Sequence, residues 1–307
     1  MGSQVAFFEL LINLHKKVSM ICTSDIPYQY KFLPNVNKIK NGFDKLELDC
    51  IGKDCVCICL DCADEGRLNL DISKLKEKVY KIINIDHHLG NTDFGDINVV
   101  DSAKSATAEI LYEFINQNFK DYMNYNISVG IYTGILTDTG KFQYANTTSS
   151  VHKIVSNLLE FGVNPSEVFS CIYENEPYGR FKLIELVISR IKLVKSKKLI
   201  YSYLLQKDFE ELNLPFSAHD GVIELLRSAA DAKIAVLFKQ MARGNIKVSL
   251  RSAESCYNVA EIAAKFGGGG HRMASAYAQK GSLEEVIANL VNAVNTGEYQ
   301  LRETSLR

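Results

Sequence analysis

Hydrophobic residues recur along the first two thirds of the chain with two alternating periods. Over 6–17, Phe7, Leu10, Leu11 and Leu14 share one helical face, and the run 18–23 that follows has strand length. Residues 54–61, DCVCICLD, are almost continuously apolar, as in a strand buried on both faces of a parallel sheet. Another strand is predicted over 79–85, and it runs directly into Asp86, His87 and His88. Helical spacing returns over 103–119 and over 127–136, where Ile127, Ile131 and Ile135 recur at every fourth position. Two further helices are predicted over 149–161, closed by Gly162, and over 177–191, opened by Pro177. Strand alternating with helix predicts a doubly wound parallel α/β domain over 1–190.

The pattern then changes. The lysine-rich stretch KLVKSKK at 192–198 reads as exposed, which makes 191–198 a linker. Beyond it, strands are predicted over 199–205, 233–238 and 246–251, the last two joined across Gly244 and Asn245. A helix over 259–266 leads into four consecutive glycines, 267–270, and then a strand over 274–278. Ser282 and Glu285 form a capping box before a final helix over 283–294. Hairpin-paired strands flanked by helices predict a smaller mixed α+β domain over 199–307.

Composition narrows the function classes. With 47% hydrophobic and 23% charged residues the chain is globular rather than disordered or fibrous, and 307 residues call for two domains. Lys+Arg total 35 against 36 Asp+Glu, a net charge of −1, which argues against binding long duplex nucleic acid through bulk charge. The longest apolar stretches, 5–14 (interrupted by Glu9) and 55–60, fall short of the ~20 residues that span a bilayer. The N-terminus has no basic segment followed by a small-residue cleavage site, so the eight cysteines read as reduced thiols of a cytoplasmic protein with no membrane partner. Cys55, Cys57 and Cys59, two apart on one strand face, read as small buried hydrophobes rather than zinc ligands. A dinucleotide-binding G-x-G-x-x-G after the first strand and a nucleophile-elbow G-x-S-x-G are both missing.

Three groups of residues can carry chemistry. Asp61 and Asp86-His87-His88 each follow a predicted parallel strand, where ligands bind in doubly wound sheets, and Asp138 follows a predicted helix. Carboxylate oxygen with imidazole nitrogen suits Mn²⁺ or a similar divalent ion, which binds phosphate and lowers the pKa of an attacking water. Strand-end caps and surface histidines are the competing reading, and spacing alone does not choose. The glycines 267–270 before His271 allow backbone N–H groups close to an anion, or make a flexible turn. Arg251 offers a bidentate fork to a phosphate, or is a solvated strand-end charge.

Together, Asp61 in LDCAD, Asp86-His87-His88, Asp138 in TGILTDTG, Arg251 in VSLRS and FGGGGH at 266–271 resemble the DHH phosphoesterases that carry a DHHA1 domain. Order and separation fit over essentially the whole chain, and the resemblance is strongest to bacterial bifunctional oligoribonucleases that also dephosphorylate adenosine 3′,5′-bisphosphate (pAp). The resemblance implies that Asp61, His87 and Asp138 ligate metal, that Asp86 orients the ligand histidine, and that His88 lies at the scissile phosphate. It also implies that Arg251, the backbone of Gly268, Gly269 and Gly270, and His271 hold the terminal phosphate or nucleotide, in a cleft between the two domains that admits only short substrates. The implied cofactor is Mn²⁺ or another divalent ion such as Mg²⁺, with two ions in the family. The implied substrates are short RNA, pAp and linear dinucleotides, and a homodimer is compatible with the pattern. Hydrolysis of cyclic di-AMP or of polyphosphate is the same chemistry on another substrate; nucleotide binding without catalysis is the alternative of a different class.

Family members open with a strand and an H-x-x-P-D-x-D-x-x-G-S motif, whereas this chain begins MGSQVAF, which matches the tail of that motif. No equivalent histidine or aspartate pair precedes Asp61, and Asp25 lies after the next strand. The expectation is therefore a site with ligands for one ion and an impaired turnover. Tyr144 and Asn146 read as a structural turn, and Asp64 with Arg67 as a local ion pair.

Overall fold

The structure, a computed structural model, describes residues 1–23, 25–42, 51–68, 71–241, 244–254 and 256–294. They divide into two compact units, Met1–Asn175 and Glu176–Arg307. The first contains α1 (Gly2–Asn13), β1 (Met20–Cys22), β2 (Ile39–Asn41), β3 (Val56–Leu60), α2 (Ile72–Lys78), β4 (Lys81–Asp86) and β5 (Ile97–Val100). It continues with α3 (Thr107–Asn118), α4 (Tyr125–Asp138), α5 (Ser149–Leu159) and α6 (Pro165–Tyr173). Every strand pairing in this unit is parallel: β1 with β2, and β3-β4-β5 as a separate group. The register sets Leu60 beside Ile85, and the Asp61 N–H donates to the Ile85 carbonyl at 3.0 Å. Asp61 and Asp86 consequently leave the sheet at the same edge.

The helix that delivers Asp138 is fixed by close packing. α4 is apolar on nearly all sides, as a helix enclosed by its neighbours should be, and Ile127, Ile131 and Ile135 are fully buried. A Cβ on Gly130 would stand 2.8 Å from the Gly2 carbonyl oxygen, and one on Gly134 would stand 2.7 Å from Ala108 Cβ. Glycines therefore let α1 and α3 close onto α4, and its last residue, Asp138, inherits that rigidity. Cys59 packs with Cys62, Ile72, Leu75, Ile82 and Phe94, in the role of a small hydrophobe.

The second unit contains α7 (Tyr178–Ser189), β6 (Lys192–Val194), β7 (Leu199–Leu204), α8 (Gln206–Glu211), α9 (Val222–Arg227), β8 (Ile234–Gln240) and β9 (Asn245–Ser252). α10 (Val259–Ala264), β10 (Gly269–His271), β11 (Ala274–Lys280) and α11 (Leu283–Ala293) complete it. Its sheet has the order β10-β11-β9-β8-β7-β6, with β7 and β8 parallel and the other pairs antiparallel. Strand alternation separates two cores. Val236, Phe238, Val248 and Leu250 meet Val259, Ile262, Val286 and Leu290 in one, while Ala235 and Leu237 meet Leu183, Val187 and Leu226 in the other. The parallel α/β first part and mixed α+β second part expected from the sequence are both present.

Three local expectations change. The helix at 178–189 was expected in the first domain, but Leu183 and Val187 bury it in the second unit's core. The expected linker at 191–198 contains β6 and a 3-10 turn within that unit. Helical spacing shows which face of α7 is apolar but not which sheet receives it. Gly269 and Gly270, expected in a loop, form the edge strand β10 with His271 against β11. Among the described residues, no helix is long and apolar enough to cross a membrane.

Arg190 and Asp208 form an ion pair in which the carboxylate is 2% exposed and also accepts the Leu205 N–H at 2.7 Å. Burial opposes ionisation of Asp208, but the Arg190 and Leu205 hydrogen bonds outweigh it and hold its carboxyl below the usual range. Its folded pKa lies below the unfolded value of about 3.9, so this stabilisation is present above that pH and is lost as the pH falls through the folded value. Asp208→Asn leaves the guanidinium without a charged partner and is expected to destabilise the protein by about 3 kcal/mol, read by urea unfolding at pH 7. An unchanged midpoint would show that the pair contributes nothing net.

Candidate metal and phosphate sites

In the first unit, Asp61, His87 and His88 each offer a donor atom, all within 4.8 Å of one another, the one such group of three among the described residues. His87 Nε2 lies 3.5 Å from Asp61 Oδ1 and 3.9 Å from Asp138 Oδ2. His87 thus stands between Asp61 and Asp138, but the three donors that lie within 4.8 Å of one another are Asp61, His87 and His88, so Asp138, expected among the ligands, approaches this cluster through His87. Burial, and then the Asp61 charge, raise the Asp138 carboxyl to about 7.

The backbone supports this arrangement. Asp61 has a φ of 61°, in the left-handed region, and so turns the chain sharply off β3. Thr107 Oγ1 donates to Asp61 Oδ1 at 2.9 Å from the start of α3. Asn146 Nδ2 donates to the Asp138 carbonyl at 3.1 Å and to the Ser105 carbonyl at 3.0 Å, fastening the end of α4 to the loop before α3. That is the structural turn expected of it. Asp64 and Arg67 likewise form a local ion pair at 2.9 Å.

One expected contact goes elsewhere. Asp86, fully buried, bonds His88 Nδ1 at 2.7 Å through Oδ1, rather than His87, and accepts Asn91 Nδ2 at 2.6 Å through Oδ2. His87 Nδ1 instead faces the Lys104 carbonyl at 3.3 Å. The physical reason is the two-residue period of extended chain, which carries residues 86 and 88 to one side and 87 to the other. Burial works against ionisation of Asp86, but the His88 and Asn91 hydrogen bonds outweigh it and keep it anionic. Sequence reasoning missed Asn91 and Thr107; short polar residues beside a motif carry no signal until the chain is folded.

In the second unit, Arg251, Gly269 and Gly270 line one cavity of about 420 Å³. His271 and Gly268 are not among its lining residues; a Cβ on Gly268 would meet the Ala276 carbonyl oxygen at 2.3 Å, so that glycine is needed for packing. Arg251 Nε donates to Glu224 Oε1 at 2.8 Å, so part of its fork is engaged. The cavity also holds His219, Lys239, Lys247 and Ser249, which sequence reasoning missed. Alternation in Lys247-Val248-Ser249-Leu250-Arg251 carried a signal for two of them, because Lys247 and Ser249 share the face of Arg251.

These features, clustered donors at parallel strand ends and a cationic cavity in a mixed sheet, define a phosphoesterase-type architecture. Residues 1–135 match the N-terminal domain of the DHH family, and residues 196–296 match the DHHA1 domain. The chain thus carries a DHH-family domain in its first part and a DHHA1 domain in its second. Phosphoesterases of this family are metal-dependent. The bifunctional oligoribonuclease and PAP phosphatase NrnA of Thermus thermophilus is 29% identical over 295 residues, covering 95% of this chain and 84% of that one. The Bacillus subtilis protein of the same name is 26% identical over 277 residues, covering 89% and 83%. The crystal structure of an exopolyphosphatase-related protein from Bacteroides fragilis shares the fold, with a TM-score of 0.91 at 24% identity over 98% of this chain and 89% of that one.

Proposed function

We propose that the protein is a metal-dependent phosphoesterase that hydrolyses short nucleotides: oligoribonucleotides of a few residues, pAp and linear dinucleotides such as pApA. The observation that carries this reading is the convergence of Asp61, His87 and Asp138 beside the Asp86–His88 pair. It is supported by the names of relatives that align with nearly the whole chain. Asp61, His87 and Asp138 would hold the ion, Mn²⁺ or another divalent ion that takes mixed oxygen and nitrogen donors. When bound, such an ion neutralises phosphate charge and makes water a stronger nucleophile.

The chain's own residues do the rest. Asp86 fixes the His88 ring through Nδ1, which leaves Nε2 to donate a proton toward a phosphate oxygen or the leaving oxygen. The anionic, buried Asp86 stabilises the imidazolium while that proton is held, and Asn91 keeps the carboxylate from rotating away. In the second unit Arg251 and the backbone of Gly269 and Gly270 would bind the anionic part of the nucleotide. Seven cysteines among the described residues are outside any disulfide, in keeping with a reducing cytoplasm. The test is AMP release from pAp and pApA with and without Mn²⁺. Metal-dependent release is expected, and nucleotide binding with no product in any metal would replace the enzyme by a binding protein.

A further inference from the structure

Within the second unit's cavity the positive charges are unequally neutralised. Glu224 serves both arginines beside it, accepting from Arg251 Nε at 2.8 Å and from Arg227 Nε at 2.6 Å. Lys239 has no such partner. It is 2% exposed and makes one hydrogen bond, Nζ to Ser249 Oγ at 2.7 Å; no carboxylate among the described residues lies within 4.0 Å of it. Lys247 stands directly across from it in the β8–β9 register. His219 lines the same cavity, and the acidic lining residue, Asp220, lies at the rim with its side chain 76% exposed, 3.4 Å from His219 Nε2.

A buried ammonium with one neutral partner is unfavourable unless an anion from outside completes it. Burial, and then the charge of Lys247, lower the Lys239 ammonium to about 8, in keeping with an excess of positive charge at this point. The floor also permits close approach. Ser249 pairs with Ala276, and Ala276 with Gly269, so no bulky side chain separates Lys239 from the cavity. A second cavity of about 420 Å³ shares Lys247 and Ala276 and is lined by Met241 and Ala278, apolar surface that a nucleoside carried on that anion would cover.

We propose that Lys239, assisted by Lys247 and His219, seats a terminal phosphomonoester of the nucleotide and makes the protein select 5′-phosphorylated substrates over unphosphorylated ones. A phosphomonoester carries about −1.5 to −2 charges near neutral pH, against −1 for an internal diester, so two lysines left without carboxylate partners favour it. This assignment rests on the phosphoesterase reading for the identity of the ligand, and differs from the Arg251 and glycine contacts in the residues that set the preference.

The test is calorimetric binding of pApA, of ApA and of inorganic phosphate to the full chain without divalent ions, so that nothing is hydrolysed. The wild-type protein is expected to bind pApA at least tenfold tighter than ApA or inorganic phosphate. Lys239→Met should bring pApA to within threefold of ApA and leave ApA unchanged. Lys247→Ala, at an exposed position that the fold does not need, should weaken pApA about threefold and decides the matter if Lys239→Met does not fold. Equal binding of pApA and ApA, inorganic phosphate as tight as pApA, or variants that keep the full preference would overturn the proposal. Mn²⁺-dependent pApA turnover is followed separately. Turnover with no such preference overturns this assignment alone, whereas the preference with no turnover overturns the catalytic reading and leaves the phosphate seat standing.

Discussion

Asp61→Asn is expected to lower metal-dependent hydrolysis of pApA by at least about a thousandfold while leaving the thermal midpoint nearly unchanged. Asparagine keeps the shape and can still accept from Thr107 Oγ1, so the local hydrogen bond at 2.9 Å survives. What disappears is the negative charge 3.5 Å from His87 Nε2, and with it one of three ligands for the proposed ion. Loss of one well-placed group that stabilises transition-state charge typically costs 10²–10³-fold, and displacing the ion removes more than one such group. The side chain is 39% exposed, so folding should barely notice. Removing the charge also removes a cause of the raised Asp138 pKa, and that carboxyl should move back toward the ordinary range. Mn²⁺ calorimetry on the variant checks the cause: affinity at least tenfold weaker is expected, and unaltered Mn²⁺ affinity would remove Asp61 from the ligand set.

His88→Ala is expected to lower kcat by about 10²–10⁴-fold, the usual range for a proton-transferring group, with Mn²⁺ affinity unchanged. The unchanged affinity is the distinguishing readout, because His88 also lies within the 4.8 Å donor cluster, with Nδ1 3.9 Å from Asp61 Oδ1. The hydrogen bond between His88 Nδ1 and Asp86 occupies that nitrogen and leaves Nε2 for proton transfer. Asp86→Asn should lower kcat by about 10²–10⁴-fold, because a catalytic histidine that loses its orienting carboxylate is held in the wrong tautomer. If His88→Ala weakened Mn²⁺ binding as much as His87→Ala, His88 would join the ligands and the proton-transfer role would be lost.

The positions of the proposed metal-site residues were legible because each closes or follows an element whose period is visible in the sequence. The apolar runs ending at Asp61 and Asp86 show two parallel strands, and the regular isoleucines of α4 lead to Asp138. Their convergence could be inferred from the rule that parallel strands present ligands at their C-terminal ends. The partner of Asp86 was not legible, because it depends on which of two adjacent histidines the extended chain turns back toward the carboxylate. The proposed phosphate cavity was half legible. Arg251 and the glycines stand out in sequence, but Lys239 sits at the end of an apolar strand and looks like a terminus marker. Only cross-strand register sets it opposite Lys247 and next to Ser249. The same limit applies to α7, whose apolar face is plain but whose core belongs to the second unit.

The most direct single measurement is AMP release from pApA by the wild-type chain with Mn²⁺, repeated after chelation and with Asp61→Asn. Release that stops on chelation, returns when Mn²⁺ is restored and falls at least about a thousandfold in the variant is the expected result. Release that survives chelation, or that Asp61→Asn leaves intact, would contradict a metal centre built on Asp61, His87 and Asp138.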